Sequence, residues 1–190
     1  MTVTIFGKGN MAKAIAKNFE LAGNKVEFIG QEADATIHGN IVVFAVPYTA
    51  IDDIIGKYQT QLAGKVVIDI TNPVDFSTMD DLVIPADTSA AEIIQKKLSQ
   101  SEVVKGFNTT FAATLVSGEI TKGVPTTVQL ASDSTQAKEK VQAALKGSPL
   151  AFIDAGALKR ARQLEALGFL NISLAVREQI SWTGGFAIYH

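Results

Sequence analysis

The chain of 190 residues contains no cysteine and only two histidines, His38 and His190. Without thiols it can form no disulfide, no thiolate nucleophile and no zinc–thiolate site. Neither imidazole has the partner arrangement that acid–base work requires. An excess charge of one sign is missing too: 17 Lys and Arg face 19 Asp and Glu, a formal net charge of −2. Nucleic acid is therefore not an expected partner, because phosphate backbones are held by clustered basic side chains. No apolar run approaches the length of a membrane-spanning helix, and no charged segment of signal type precedes the first apolar stretch. These absences lead us to expect a cytoplasmic chain with no membrane partner. The adjacent pairs Asp52-Asp53 and Asp80-Asp81 do not face one another on a helix, and they read as solvated faces. No side chain is assigned a catalytic role and no metal site is expected.

What the chain does have is a glycine turn at its start, "VTIFGKGNMAKAIAKNF" from Val3 to Phe19. Val3 to Phe6 read as a strand, and Met11, Ile15 and Phe19 recur at helical spacing. Between them lie Gly7, Lys8, Gly9, Asn10, Met11 and Ala12. A strand that enters a helix through G-x-G-x-x-G/A can bring bare backbone amides and the positive end of the helix dipole against a pyrophosphate. Gly7 then permits the tight turn, Gly9 lets a phosphate approach, and Ala12 lets the helix lie close on the strand.

Strands and helices alternate through most of the chain. "KVEFIG", Ile41 to Pro47, Lys65 to Ile70, "EVVKGFNTT", "PTTVQLAS" and "LAFIDAG" read as further strands. Helices are expected in "YTAIDDIIGKYQTQL", in "SAAEIIQKKLSQ" with Ser89 and Glu92 at capping-box spacing, from about Ser134 to Leu145, and from Ala157 to about Gln179. The pattern implies an α/β fold: a doubly wound, mainly parallel Rossmann sheet over residues 1–155, with a small helical extension over 156–190. The second half of the last helix, "ALGFLNISLAV", is apolar on nearly every side, which favours cover by a second subunit and hence a homodimer. The link "QEADATIHGN" after the second strand is too short for a full crossover helix with its turns.

Open α/β sheets bind ligands at the carboxyl ends of their strands. That edge carries Ala45, Val46, Pro47 and Tyr48 after the third strand, and Thr71, Asn72 and Pro73 after the fourth. Asn72 either meets a nicotinamide carboxamide or ribose, or makes an Asx turn before proline. Phe107 and Asn108 leave the next strand at the same edge, as a nicotinamide wall and its orienting amide or as a buried Phe with a capping Asn. Lys105 reads as a solvated or salt-bridged lysine, and Trp182 as tail packing or a cover for an acceptor ring.

In order, the glycine turn, Ala45-Val46-Pro47, "DITNP" (Asp69 to Pro73), "SAAE", "VVKGFNT" (Val103 to Thr109) and "DAGALKRARQLEALGFLNISLA" (Asp154 to Ala175) resemble the deazaflavin-dependent NADP oxidoreductases. They also resemble the cytosolic reductase domain of the six-transmembrane ferric reductases. The resemblance implies an NADP-binding Rossmann domain, a C-terminal helical part joining two subunits, and hydride exchange with a flavin or deazaflavin. Where the family carries Gly-Ser-Arg for the 2′-phosphate, this chain has Gly30-Gln31-Glu32. NADP is favoured over NAD on family grounds, with Gln31 at the strand end and Lys8 as a cation able to answer the extra phosphate. The expected function is hydride transfer between NADP(H) and a flavin-like or deazaflavin acceptor. Two alternatives stand beside it: an NADP(H)-sensing module without turnover, and a flavin-mediated reductase of metal chelates.

Overall fold

Two sets of apolar side chains alternate along the central strands, so each strand is buried on both sides and helices must cover both faces. In the computed structural model, which describes residues 1–31 and 35–189, Val3 and Ile5 of β1 (Thr2–Phe6) and Ile41 and Val43 of β3 (Ile41–Phe44) face one core. That core is shared with α1 (Asn10–Leu21), α4 (Ala112–Ser117) and α5 (Thr135–Ala144). Val42 and Phe44 face the other core, which Val67 of β4 (Val66–Asp69) joins. Helices α2 (Ile51–Leu62) and α3 (Ala90–Lys97) and the start of α6 (Ala161–Val176) cover that side.

With β2 (Lys25–Ile29), β5 (Glu102–Lys105), β8 (Thr127–Ala131) and β9 (Ala151–Gly156), the sheet has seven strands in the order β2-β1-β3-β4-β5-β8-β9. Every pairing is parallel except β5 with β8, which meet only at Lys105 and Ala131. This is the doubly wound α/β sheet expected from the alternation, with helices at its C-terminal end. The short link from β2 crosses β1 without a helix over residues 35–40, so β2 is an edge strand. The strand order therefore changes direction between β1 and β3, and a ligand crevice belongs there.

Local chemistry explains the helix starts. Ser89 accepts from the Glu92 amide at 3.1 Å and donates to the Glu92 carboxylate at 2.8 Å, a reciprocal cap on α3. Ser134 caps α5 through the Ala137 amide. Two expectations need correction, and one segment without an expected element gains three. The third strand ends at Phe44 rather than Pro47, because Ala45 has begun the turn over Gly7. The last helix does not run from Ala157 to Gln179: a 3-10 turn at Leu158–Arg160 precedes α6, which stops at Val176. There Glu178 takes φ +58, and Gln179 and Glu178 donate to the carbonyls of Leu174 and Ala175, a left-handed termination made without glycine. Finally, α4 and a small hairpin of β6 (Glu119–Thr121) and β7 (Val124–Pro125) fill the segment between β5 and β8.

Candidate functional site

The turn after β1 is held in place by backbone contacts. Gly7 has φ +104, and its amide donates to the Ile29 carbonyl at 2.8 Å. A Cβ there would collide with the Ala45 carbonyl oxygen, so the β1 and β3 turns are in contact only because residue 7 has no side chain. Gly9 is the N-cap of α1, with no side-chain cap and no acidic residue in the first turn. A Cβ on Gly9 would meet nothing within 4 Å, so the space above these amides is open. An open, uncapped helix N-terminus favours an anion. Ala12, fully buried, seats α1 on the sheet.

Two adjoining clefts run along this carboxyl edge and share Val46 and Pro47. The first, about 720 Å³, lies between the ends of β1 and β2 and the side of α2, and includes Gly7, Lys8 and Gln31. Its far wall is Asp53, Ile54 and Lys57, and its floor includes Phe6 and Tyr58, whose rings meet edge-on with centroids 5.1 Å apart. The second, about 360 Å³, is lined by residues 9–12, by Ala45 and Tyr48, and by Thr71, Asn72, Phe76 and Ile172. Burial holds the Tyr48 phenol above its ordinary pKa, so it stays a neutral donor.

Of the residues expected at the site, Pro73, Phe107 and Asn108 do not line either cleft. Phe107 is fully buried in the core at φ +63, behind the cleft rather than in its wall. Pro73 is buried, and its carbonyl accepts from Val83. Asn108 acts at one remove: its Nδ2 donates to Asn72 Oδ1 and to the Leu164 carbonyl, each at 2.8 Å, while Asn72 Nδ2 donates to the Asn108 carbonyl at 2.8 Å. This reciprocal pair fixes Asn72 at the cleft and ties it to α6. Gly168 makes the approach possible, since a Cβ there would overlap the Asn72 amide and lie 2.8 Å from the Asn108 carbonyl oxygen.

Beneath Thr71 lies a buried charge cluster of which the sequence reading anticipated only the lysine, as solvated or salt-bridged. Lys105 donates to Asp69 at 2.8 Å, to Glu165 at 2.9 Å and to the Thr71 carbonyl, which uses all three of its protons. All three charged side chains are at most 1% exposed. Glu165 also accepts from the first amides of α3, at 2.9 Å from Ala90 and 3.2 Å from Ala91. Burial draws the Lys105 pKa down, but the two carboxylates outweigh it and the ammonium ends above its ordinary value. Glu165 is raised above its ordinary value, chiefly by burial and further by Asp69, against the pull of Lys105. The Thr71 amide donates to Asp69 at 2.9 Å, so both backbone groups of Thr71 are pinned. Its buried hydroxyl has no partner among the described residues and belongs to a residue lining the second cleft.

Other expected candidates lie elsewhere. His38 contacts Glu27 on the surface, and Trp182 is half exposed with its ring 4.9 Å from Phe111. Glu32 and His190 lie outside the described residues. Among the described residues no His, Cys, Asp and Glu group of three or more could hold a metal ion, and no helix is long and apolar enough to cross a membrane.

Residues 24–73 match the family described as NADP oxidoreductase, coenzyme F420-dependent. The F420-dependent NADP reductase of Methanothermobacter thermautotrophicus is 30% identical over 181 residues, covering 91% of this chain and 77% of that protein. The chain belongs to the F420-dependent NADP oxidoreductase family. A second member, the F420-dependent NADP reductase of Methanocaldococcus jannaschii, is 29% identical over 178 residues, 91% of this chain and 79% of that protein. The fold has a solved counterpart in an Arthrobacter chain described as an F420-dependent NADP-reductase, with TM-score 0.84, 23% identity and full coverage of both chains.

Proposed function

We propose that this family member moves a hydride between NADP(H) and a deazaflavin coenzyme. The observation that carries the reading is the continuous pair of clefts, running from the end of β2, over the glycine turn, to Thr71 and Asn72 at the foot of α6. The residues present suit a dinucleotide in three respects. The amides at Gly9 open onto free space, the N-terminus of α1 has no side-chain cap, and the buried Thr71 hydroxyl lacks a partner at the cleft.

When bound, the nicotinamide and deazaflavin rings supply the hydride chemistry themselves. The protein binds, orients and excludes water. Gly7, Gly9 and the first turn of α1 hold the pyrophosphate, and the first cleft takes the adenosine half. Thr71 and Asn72 hold the nicotinamide half, oriented by the Lys105 cluster and by Asn108. Met11, Tyr48, Phe76 and Ile172 provide an apolar slot in which an acceptor ring can lie against it. No acid–base side chain is needed for a carbon-to-carbon hydride transfer, and the described residues that line the second cleft include no histidine, aspartate or glutamate. Phe76 is 64% exposed and free to cover a planar ring.

We assign residues 1–155 to cofactor binding and 156–190 to a homodimer contact, with Ile172 of α6 closing the acceptor slot. Leu170 and Val176 on α6 are 49% and 44% exposed, an apolar surface suited to a second copy. The test is the loss of NADPH absorbance under anaerobic conditions with deazaflavin, FMN, FAD and riboflavin offered in turn. Saturable turnover with the deazaflavin is expected. Tight NADPH binding without reduction of any ring would favour a sensor and overturn the enzyme reading.

A further inference from the structure

NADP differs from NAD by one phosphate monoester on the adenosine ribose, carrying about −1.5 to −2 charges at neutral pH. Where the first cleft meets the end of β2, the described residues that follow the strand are Gly30 and the neutral Gln31. Among the described residues, the charged side chains lining this cleft are Lys8 in the glycine turn and Asp53 and Lys57 on α2. Ala50, Asp53, Ile54, Lys57 and Tyr58 all line it, a spacing that presents one face of α2 to the cleft. The two lysines therefore stand on different walls, and among the described residues that line the cleft they and Asp53 sum to a charge of +1.

The α2 wall is well anchored. Ile55 and Tyr58 are buried in the core beside Lys57, and the Lys57 ammonium lies 5.2 Å from the centroid of the Tyr58 ring. A lysine is a mobile point charge suited to phosphate, and its four-carbon stem lets the head move across a cleft of this width. Asp53, one turn earlier, works the other way: it repels a phosphate and can accept from a free ribose hydroxyl. Without Lys57 the same charge sum falls to zero and the cleft loses its preference.

We infer that Lys57, acting with Lys8 across the cleft, is the specificity-determining residue that reads the adenosine 2′-phosphate. The inference rests on the NADP reading above and deepens it, moving recognition from the end of β2 to α2. Its test is calorimetric titration of the full chain with 2′,5′-ADP and with 5′-AMP, which needs no acceptor, followed by kcat and KM for NADPH and NADH with one acceptor. Lys57→Gln should weaken 2′,5′-ADP binding by roughly 10-fold or more, the worth of one charge-assisted hydrogen bond, and leave 5′-AMP binding unchanged. Lys57→Arg should retain most of the affinity. In turnover the KM for NADPH should rise while kcat and the NADH constants hold. Equal weakening of both nucleotides, or no weakening of either with a normal melting curve, would overturn the role of Lys57. Wild-type protein that binds 5′-AMP as tightly as 2′,5′-ADP would instead overturn the NADP reading, and the inference with it.

Discussion

Replacing Gly9 by alanine should separate folding from cofactor binding. Gly9 sits at φ −75 and ψ −175, which alanine adopts without strain, and the added methyl would touch nothing within 4 Å. An N-cap glycine is better than alanine by about 1 kcal/mol at most, and the stiffer unfolded chain returns about 0.4–1 kcal/mol, so the melting temperature should barely move. The methyl would, however, occupy the space from which a pyrophosphate reaches the first amides of α1. Losing one charge-assisted bond there costs about 1.5–3 kcal/mol, roughly a 10- to 100-fold rise in the dissociation constant for NADPH. Thermal melting and titration of NADPH fluorescence measure the two effects on one preparation. A Gly9→Ala protein that melts normally and binds NADPH like wild type would refute the placement of the pyrophosphate. Gly7→Ala is the contrasting control: with φ +104 and the Ala45 carbonyl in the way, it should lose the fold.

Three further outcomes are expected. Lys105→Met leaves Asp69 and Glu165 buried without their cation, so it should destabilise the protein by about 3–5 kcal/mol, read by urea unfolding; a loss under 1 kcal/mol would show that the cluster is not held as described. Because the Glu165 pKa is raised in the folded chain, its contribution to stability is full below its ordinary value of 4.5 and declines as pH rises through the raised value. Glu165→Gln should flatten that part of the stability profile, and an unchanged slope above pH 4.5 would count against the raised carboxyl. Gly168→Ala should push α6 away from Asn72 and Asn108, cost about 1–3 kcal/mol, and lower kcat more than it raises the KM for NADPH.

Much of the site was legible because its residues announce themselves locally. Gly7, Gly9 and Ala12 occupy one turn, and apolar strands end in Ala45-Val46-Pro47 and Thr71-Asn72-Pro73, so the chain order alone places them on one edge. The Ser89 cap was legible for the same reason: its partner lies three residues away. What escaped notice depends on partners distant in sequence. Asp69, Lys105 and Glu165 meet only after β4, β5 and α6 have packed, and the acidic residue at 165 gives no sign that it is buried. Nothing in the sequence singles out Lys57, because which side of α2 borders the cleft is set by how the helix packs on the sheet. The end of α6 was missed because Glu178, rather than a glycine, takes the left-handed conformation. Of the two readings open for Phe107, a nicotinamide wall or a buried ring, the structure takes the second, and the positive φ at that position turns the ring into the core.

The central claim is direct hydride transfer from nicotinamide to a deazaflavin held against it in the second cleft. The decisive measurement uses NADPH carrying deuterium at both C4 positions, deazaflavin as acceptor and ordinary water as solvent, with mass spectrometry of the reduced acceptor. Direct transfer places one deuterium on the acceptor's ring carbon, where it does not exchange. A reduced acceptor free of deuterium would mean that the hydride does not pass between two rings in this cleft.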